Sequence, residues 1–293
     1  MRTILLALGL FITGVLFGQS QDSSLWSTKV NTQLNFSQSS FQNWAGGGEN
    51  AVSATGIFSL LNAYKGPKKS VENAINLAYG MIKQESRNFQ KTDDRIEISS
   101  KYSQKAFRKF DYSSLLSLRT QFAQGFANAE DTVRISNFMA PGYLIASLGL
   151  DYKPKEYFSI MISPLTGKFT FVIDKVLSDA GAFGVEPGHE FRAELGGFLR
   201  MNFQKEVMKN INFGTKLEIF SNYLEKPENL DINWETLLAM RVNKHIITSV
   251  STQLIYDDDV DVELDRNGDE IPDGKGPRVQ FKEVLSIGIA YTF

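Results

Sequence analysis

Four oxygen donors in one acidic segment are the residues of this sequence whose types and spacing point most directly to chemistry. They are Asp265, Asn267, Asp269 and Asp273. Donors at positions one, three and five around a glycine are typical of short loops that wrap Ca²⁺, and position nine can complete the shell. The segment departs from an EF-hand because Gly276 stands at position twelve. The 257–277 loop therefore predicts either a weak calcium site or a solvated acidic loop with an Asn-Gly turn.

Catalytic chemistry has little support in the sequence. The only histidines are His189 and His245, and there is no cysteine. His245 falls in a predicted short turn, where a surface residue is the ordinary expectation. His189 lies beside Glu190 at the end of a predicted long loop, which leaves a hydrolase as a third hypothesis, but no nucleophile-elbow motif accompanies it. We expect that the protein is not an enzyme.

A third group of polar residues shares one face of segments in which apolar and polar residues alternate. If the segments are strands of a closed barrel, this shared face points into the lumen. The predicted lumen-lining residues are Lys29, Asn31, Gln33, Arg119, Gln121, Arg192, Glu194, Arg200, Lys216, Glu218, Glu235 and Arg241. Asn35, Arg95, Glu97 and Lys101 have the same phase. Because both signs of charge are interspersed, these side chains fit a narrow polar channel, and they equally fit pairs that cross the lumen and plug it.

Aromatic residues in a predicted loop form one more candidate site. Phe41 and Trp44 precede the glycines Gly46–Gly48. Such a loop could grip a sugar or a partner, or its aromatic rings could lie in an interfacial girdle, where tryptophan is common. The second interpretation is favoured.

The strand that must organise these groups is Val279–Phe293. Its odd positions are mostly apolar and end in the aromatic residues Tyr291 and Phe293, while its even positions are mostly small or polar. A terminal strand of this length and pattern is typical of a transmembrane β-barrel, whose strands need about 9–11 residues to cross the bilayer. One departure is Glu283 on the apolar phase, which indicates either the membrane edge or a β-bulge.

The other terminus agrees with an exported protein. Arg2, a short apolar run and a small-residue exit predict a cleaved secretory signal peptide over residues 1–20, which leaves 21–293 as a single β-barrel domain. A membrane anchor is the alternative for the first segment. With 31 basic and 33 acidic residues, no global charge field would attract nucleic acid. No apolar run of about 20 residues follows the first segment, so no spanning helix is predicted there.

Alternation and turn signals along the chain predict about twelve antiparallel strands, with ten or fourteen allowed. The uncertainty comes from Pro164–Glu190, which we expect to be a long interruption with room for a short hairpin. Long and short connections alternate, as they do in up-and-down outer-membrane barrels, so both termini are expected on the periplasmic side. A secreted β-sandwich is the alternative fold, but its strands are usually shorter and carry no aromatic tips.

Four phrases of the sequence resemble a known family. They are FQNWAGGGEN (41–50), SPLTGKFTFVID (163–174), GAFGVEPGHEFRAELGG (181–197) and the QFKEVLSIGIAYTF ending. The chain resembles an uncharacterised outer-membrane β-barrel family of Bacteroidota-type bacteria, a family with a domain of unknown function. The resemblance implies the barrel and the cell outer membrane, and it implies no activity.

Three functions follow as hypotheses. The first is a channel or binding barrel for a small polar solute. The second is a sealed structural or partner-binding barrel that acts through its extracellular loops, and the third is an outer-membrane hydrolase. The expected partners are outer-membrane lipid and the barrel-assembly machinery, which would engage the terminal strand ending in Phe293. Calcium in the 257–277 loop is the only cofactor hypothesis.

Overall fold

Twelve antiparallel strands close into one barrel in the computed structural model, which describes residues 25–40, 49–84, 87–128, 130–264 and 274–292. In chain order the strands are β1 (Trp26–Ser39), β2 (Ala51–Lys65), β3 (Lys69–Gln84), β4 (Gln90–Phe107), β5 (Phe110–Thr120), β6 (Gly125–Phe126), β7 (Arg134–Ser136), β8 (Gly142–Lys155), β9 (Phe158–Phe171), β10 (Phe191–Met208), β11 (Ile211–Asn222), β12 (Leu230–Arg241), β13 (Ile246–Tyr256), β14 (Asp261–Leu264), β15 (Gly274–Pro277) and β16 (Gln280–Thr292). Two small hairpins, β6–β7 and β14–β15, lie outside the barrel sheet. Around the barrel the order is β1-β16-β13-β12-β11-β10-β9-β8-β5-β4-β3-β2.

The alternation of the sequence explains how the strands are oriented. Because side chains alternate across a strand, the apolar phase of each strand faces outward and the polar phase faces inward. On the outer surface of β16, Leu285 and Ile287 are 69% and 61% exposed, and on β1 Leu34 is 58% exposed. Apolar side chains that are exposed on the outside of a closed sheet form the lipid-facing band of a transmembrane barrel.

Aromatic rings gather near both ends of the barrel. At one end Trp26 packs against Tyr64 with ring centroids 5.2 Å apart. At the other end Phe191 packs against Phe171 at 5.3 Å. Paired aromatic belts of this kind lie at the two water interfaces of a bilayer.

The connections alternate in length, as predicted. One end of the barrel, called here the short-turn end, carries the connections 66–68, 108–109, 156–157, 209–210 and 242–245. The opposite end, called here the long-loop end, carries 40–50, 85–89, 121–141, 172–190, 223–229 and 257–279. The closed barrel of twelve antiparallel strands confirms the predicted fold class and strand number.

Two boundaries differ from the prediction. The segment 164–190 forms no hairpin: residues up to Phe171 extend β9, and the short helix α1 (Lys175–Asp179) follows. Pro164 lies where the β8–β9 register shifts, and a bulge tolerates a residue that lacks an N–H. The polar segment Gln84–Asp94 resembles a loop in the sequence and is predicted as one, but β4 already begins at Gln90.

The strand β16 has no β-bulge at Glu283. Glu283 pairs with Thr252 in a continuous β13–β16 register, and its side chain is exposed near the long-loop end of β16. The membrane-edge interpretation therefore fits the structure.

The predicted signal peptide, residues 1–20, lies outside the described residues. In the described part of the chain, no helix has the length and apolar character needed to cross a membrane.

Candidate functional site

Strand β4 sends three consecutive inward side chains across the lumen. Asp93 Oδ1 lies 3.0 Å from Lys282 Nζ on β16. Arg95 Nη1 lies 3.3 Å from Glu235 Oε2 on β12. Glu97 Oε1 lies 2.6 Å from Lys216 Nζ on β11. Because the signs alternate along β4 and are opposed on the far strands, each level of this ladder joins opposite charges. These three ion pairs are called the cross-lumen pairs below.

Arg119 on β5 connects the same groups into a network. Its Nη2 lies 2.9 Å from a carboxylate oxygen of Glu218 and 3.6 Å from oxygens of both Glu97 and Glu235. Arg200 binds Glu218 from the neighbouring strand, with Nε donating at 2.7 Å. Inside a barrel, a buried charge is tolerated when opposite charges and hydrogen bonds compensate it. In the network four cations, Arg95, Arg119, Arg200 and Lys216, surround three carboxylates, so each buried charge has an opposite charge beside it.

One side of the lumen is filled by an apolar cluster. Leu115, Met161, Phe198 and Phe220 are all buried and pack together, with Ile145 against them. They project inward from β5, β9, β10 and β11, as the strand registers require. The barrel interior is therefore a packed core on this side.

The opposite wall is different in character. Most inward residues of strands β13, β16, β1 and β2 are small or polar, such as Ser251, Ser286, Asn31 and Ser59, which are half-buried, and a minority such as Ile57 are apolar. Their partial exposure indicates that the packed core does not extend to this wall. The lumen is therefore asymmetric, with a filled half and a polar half.

A second ion-pair cluster lies toward the long-loop end. Lys168 Nζ is 2.6 Å from Asp231, 3.4 Å from Asp257 and 3.6 Å from Glu194. Arg192 extends the cluster with Nη2 3.3 Å from Glu194. Because carboxylates outnumber cations around Lys168, this mouth of the barrel is acidic.

Two long loops pack over this mouth. Ala140 and Val172, together with Leu177 and Val185, form a small buried core between segments 121–141 and 172–190. Asp174 caps α1 by accepting from the amides of Val176 and Leu177. It also accepts from Asn137 Nδ2 at 2.8 Å and lies 2.7 Å from Arg134 Nε. These two segments are called the packed loops below.

The ionisation of Asp174 stabilises the packed loops. Burial opposes its charged form, but hydrogen bonds from Asn137 and the Leu177 amide, together with Arg134, outweigh that cost. The pKa of Asp174 is therefore lowered from its ordinary value.

The predicted lumen residues occupy several kinds of position. Arg119, Arg200, Lys216, Glu218 and Glu235 meet in the network, and Arg192 and Glu194 belong to the acidic mouth. Lys29, Asn31 and Gln33 have the inward phase of β1 and lie outside the network.

Gln121 and Arg241 lie beyond the middle of the barrel. Gln121 follows the end of β5 and donates to the carbonyls of Asn137 and Ala140, so it holds a packed loop. Arg241 ends β12 and lines a cavity of about 410 Å³ at the short-turn end with Lys244 and His245. His245 stacks on the Tyr291 ring at 6.2 Å.

Sequence reasoning missed Asp93, Lys282 and Asp151 as members of the interior. Asp93 stands in a polar segment that resembles a loop, although its phase matches that of Arg95. Lys282 stands on the polar phase of the terminal strand, which was a usable signal. Asp151 is fully buried and binds Lys101 Nζ at 2.5 Å and Lys153 Nζ at 3.1 Å.

The structure does not test two other candidate sites. The calcium motif Asp265, Asn267, Asp269 and Asp273 lies outside the described residues, as do Phe41 and Trp44, so these hypotheses stay predictions. Elsewhere, within the described ranges, no group of three or more potential ligands is arranged for a metal ion. His189 is exposed, and its Nδ1 lies 3.7 Å from the exposed carboxylate of Glu186.

Together, the closed antiparallel sheet, the apolar outer band and the polar interior define an outer-membrane-type β-barrel. Residues 36–126 match the model of a family described as "Protein of unknown function (DUF3078)". This match confirms a resemblance to an uncharacterised family over that part of the chain. No curated protein matches the sequence.

Two solved structures are similar in outline. An outer-membrane channel from Pseudomonas putida F1 has 10% identity and a TM-score of 0.41, over 94% of this chain and 100% of that chain. The translocator domain of the autotransporter NalP from Neisseria meningitidis has 9% identity and a TM-score of 0.35, over 98% and 95% of the two chains. The fold described above rests on the strand ladders of this chain itself.

Proposed function

We propose that the protein is an integral outer-membrane β-barrel whose lumen is held closed by its own charged side chains, and that it acts through its long-loop end as a structural or partner-binding barrel. The cross-lumen pairs carry this proposal. They occupy three successive inward positions of β4, so an axial path through the middle of the lumen would have to separate opposite charges at each level.

The cost of separation supports the closed state. Glu97 is buried, with a side chain 6% exposed, and it touches both Lys216 and Arg119. Leaving such a carboxylate without partners costs about 3 kcal/mol or more. A state with this cost has a population of about one in a hundred or less, because each 1.4 kcal/mol is about a factor of ten.

Passage of a small polar solute is the second candidate. It is favoured by the polar half of the lumen, where Ser251, Ser286 and Asn31 are small or polar and half-buried. Water and a narrow solute could follow this wall beside the cross-lumen pairs. The net charge of the network would then influence which solutes pass, because its four cations exceed its three carboxylates.

Single-channel conductance of the refolded, heat-modifiable barrel in a planar bilayer tests both candidates. The closed barrel predicts a silent wild type and conductance steps in the triple variant Asp93→Asn, Arg95→Gln, Glu97→Gln, which also shows that the assay detects this barrel. Steady wild-type steps whose selectivity changes in Arg200→Glu or Lys216→Glu would overturn the closed barrel and establish the channel.

The orientation of the barrel in the membrane is part of this proposal. We place the short-turn end and both termini in the periplasm, since short turns face that compartment in such barrels. An epitope inserted in 223–229 should then be accessible on intact cells, and one inserted at Asn210 should not be.

Lipid contacts follow from the apolar band, whereas recognition by the assembly machinery would involve Phe293, which lies outside the described residues. The hydrolase hypothesis predicts an activity lost in His189→Ala, and the Bacteroidota-type origin likewise stays a proposal.

A further inference from the structure

The seam that closes the barrel, between β1 and β16, is hydrogen-bonded over only part of its length. Its ladder comprises five residue pairs, from Asn31–Thr292 to Asn35–Gly288. Every other ladder in the barrel has ten or more pairs, as in β13–β16 and β1–β2. Both seam strands nevertheless continue toward the long-loop end, β1 to Ser39 and β16 back to Gln280. The described residues 36–39 and 284–287 therefore face each other without a ladder.

The last rung of this ladder is a close contact. A Cβ atom at Gly288 would lie 2.1 Å from Asn35 Oδ1 and 2.7 Å from the Leu34 carbonyl oxygen, so only glycine fits here. Gln33 Nε2 donates to Asn35 Oδ1 at 2.6 Å and holds the amide in place. The seam is therefore fastened at Asn35–Gly288, and the unpaired part begins directly above it.

The two sides of the unpaired part differ in polarity. Outward, Phe36, Leu285 and Ile287 are each more than half exposed to the lipid-facing surface. Inward, Ser286 shares a hydrogen bond with Ser249, and Ser37 has the same inward phase as Asn35. Backbone groups left unpaired in hydrocarbon cost several kcal/mol each, so this part of the wall needs a polar partner.

We propose that the unpaired seam is a lateral portal, where the polar head of a membrane amphiphile reaches the inner wall of the barrel while its apolar chain stays in the bilayer. Four residues on each side give the portal a height of about 13 Å, at about 3.3 Å per residue. This height suits a head group at the interface, and the change from apolar side chains outside to serines inside matches an amphiphile. The axial route is crossed by ion pairs, so the portal gives the polar half of the lumen a different access.

The absence of cysteine from the sequence permits a direct test. Continuing the register from Leu34–Ile289 and Asn35–Gly288 places Phe36 opposite Ile287. The double variant Phe36→Cys, Ile287→Cys reports the unpaired seam, and Leu34→Cys, Ile289→Cys is the matched control inside the ladder. The portal predicts that the control pair oxidises at least ten-fold faster. Equal rates would show a closed seam and overturn the proposal.

Ligand access is measured with the same purified proteins in phosphatidylcholine vesicles. The probe is a lysophosphatidylcholine with a photoreactive diazirine next to its head group. We expect the probe to label peptides that contain Ser37 and Ser286. Labelling should drop at least five-fold when a disulfide or a short bis-thiol linker joins positions 36 and 287. Reduction of that disulfide should restore the labelling. The 34–289 disulfide should leave labelling unchanged.

Lipid labelling that stays unchanged when positions 36 and 287 are covalently joined would overturn the portal. Crosslinks from positions 36 and 287 to a purified, identified polypeptide, without lipid labelling, would replace the amphiphile by an added strand. Neither measurement depends on axial conductance, so the portal and the closed lumen stand or fall separately.

Discussion

Arg95 on β4 and Glu235 on β12 lie on diametrically opposite strands of the barrel, and their side chains meet with Nη1 3.3 Å from Oε2. Five strands separate them in either direction around the sheet. Two long side chains thus span the full width of the lumen. The interior of this barrel is therefore organised by contacts between its walls, as the interior of a soluble domain is.

Exchanging the two charges of the most isolated cross-lumen pair should restore the wild-type conductance record, which each single charge reversal should disturb. Asp93 and Lys282 contact each other and have no other ion-pair partner within the described ranges. We expect Asp93→Lys and Lys282→Asp each to raise the frequency of conductance steps, because like charges then repel across the lumen. The double exchange should return to the wild-type record. Additive effects in the double variant would contradict a direct interaction between these two residues.

Removing the Glu97 charge should destabilise the barrel. In Glu97→Gln, Lys216 loses its 2.6 Å partner and Arg119 loses one of three carboxylates. We expect a loss of about 3 kcal/mol in the free energy of unfolding, as for other broken buried pairs. Urea unfolding in micelles measures it. Lys29→Gln is the control, because Lys29 is exposed and forms no ion pair within the described ranges. Equal losses in both variants would show that the network contributes nothing specific.

Backbone crowding at a bulge predicts a sharp difference between two glycines. A Cβ atom at Gly149 would lie 2.1 Å from the Ile162 carbonyl oxygen, where the β8–β9 register shifts, and backbone cannot move aside as a flexible side chain can. We expect Gly149→Ala to cost about 2 kcal/mol, within the range for overpacking. Gly56→Ala is the matched control, because nothing lies within 4 Å of its Cβ position. Heat-modifiability on gels compares the two, and equal midpoints would contradict the predicted crowding.

The packed loops should loosen in acid. Since the pKa of Asp174 is lower in the folded chain than in the unfolded chain, its ionised form stabilises the loops above the ordinary aspartate value of about 3.9. That stability is lost as the pH falls through the folded value. The hydrogen-exchange protection of peptides from 121–141 and 172–190, measured relative to the intrinsic rate at each pH, should therefore fall below about pH 4.

The variant Asp174→Asn tests the origin of this acid response. We expect faster exchange already at pH 7, corresponding to up to about 1 kcal/mol for the lost ion pair with Arg134, and a smaller change on acidification, because asparagine still caps α1. Asp179→Asn is the control, since Asp179 is exposed at the end of α1. An unchanged acid response in Asp174→Asn would assign it to another group.

The amino-acid sequence by itself determined the strands and their faces. Alternation along a strand is a local property with a period of two residues, so the phase of Lys216 or Arg200 could be read without knowing any neighbour. Turn residues and the order of long and short connections then gave twelve strands. The errors fell where local signals mislead: Pro164 interrupts the pattern but lies at a bulge, and the polar start of β4 resembles a loop.

Only the tertiary structure decided which charges meet. Arg95 and Glu235 are brought together by closure of the ring and by the stagger between strands, and neither is encoded in the spacing of residues along one strand. The same non-local geometry packs Phe198 against Phe220 on one side of the lumen and ends the seam ladder at Asn35–Gly288. The sequence determined which side chains face inward, whereas closure of the barrel decided whether they pair, because pairing depends on distances between strands that lie far apart in the chain.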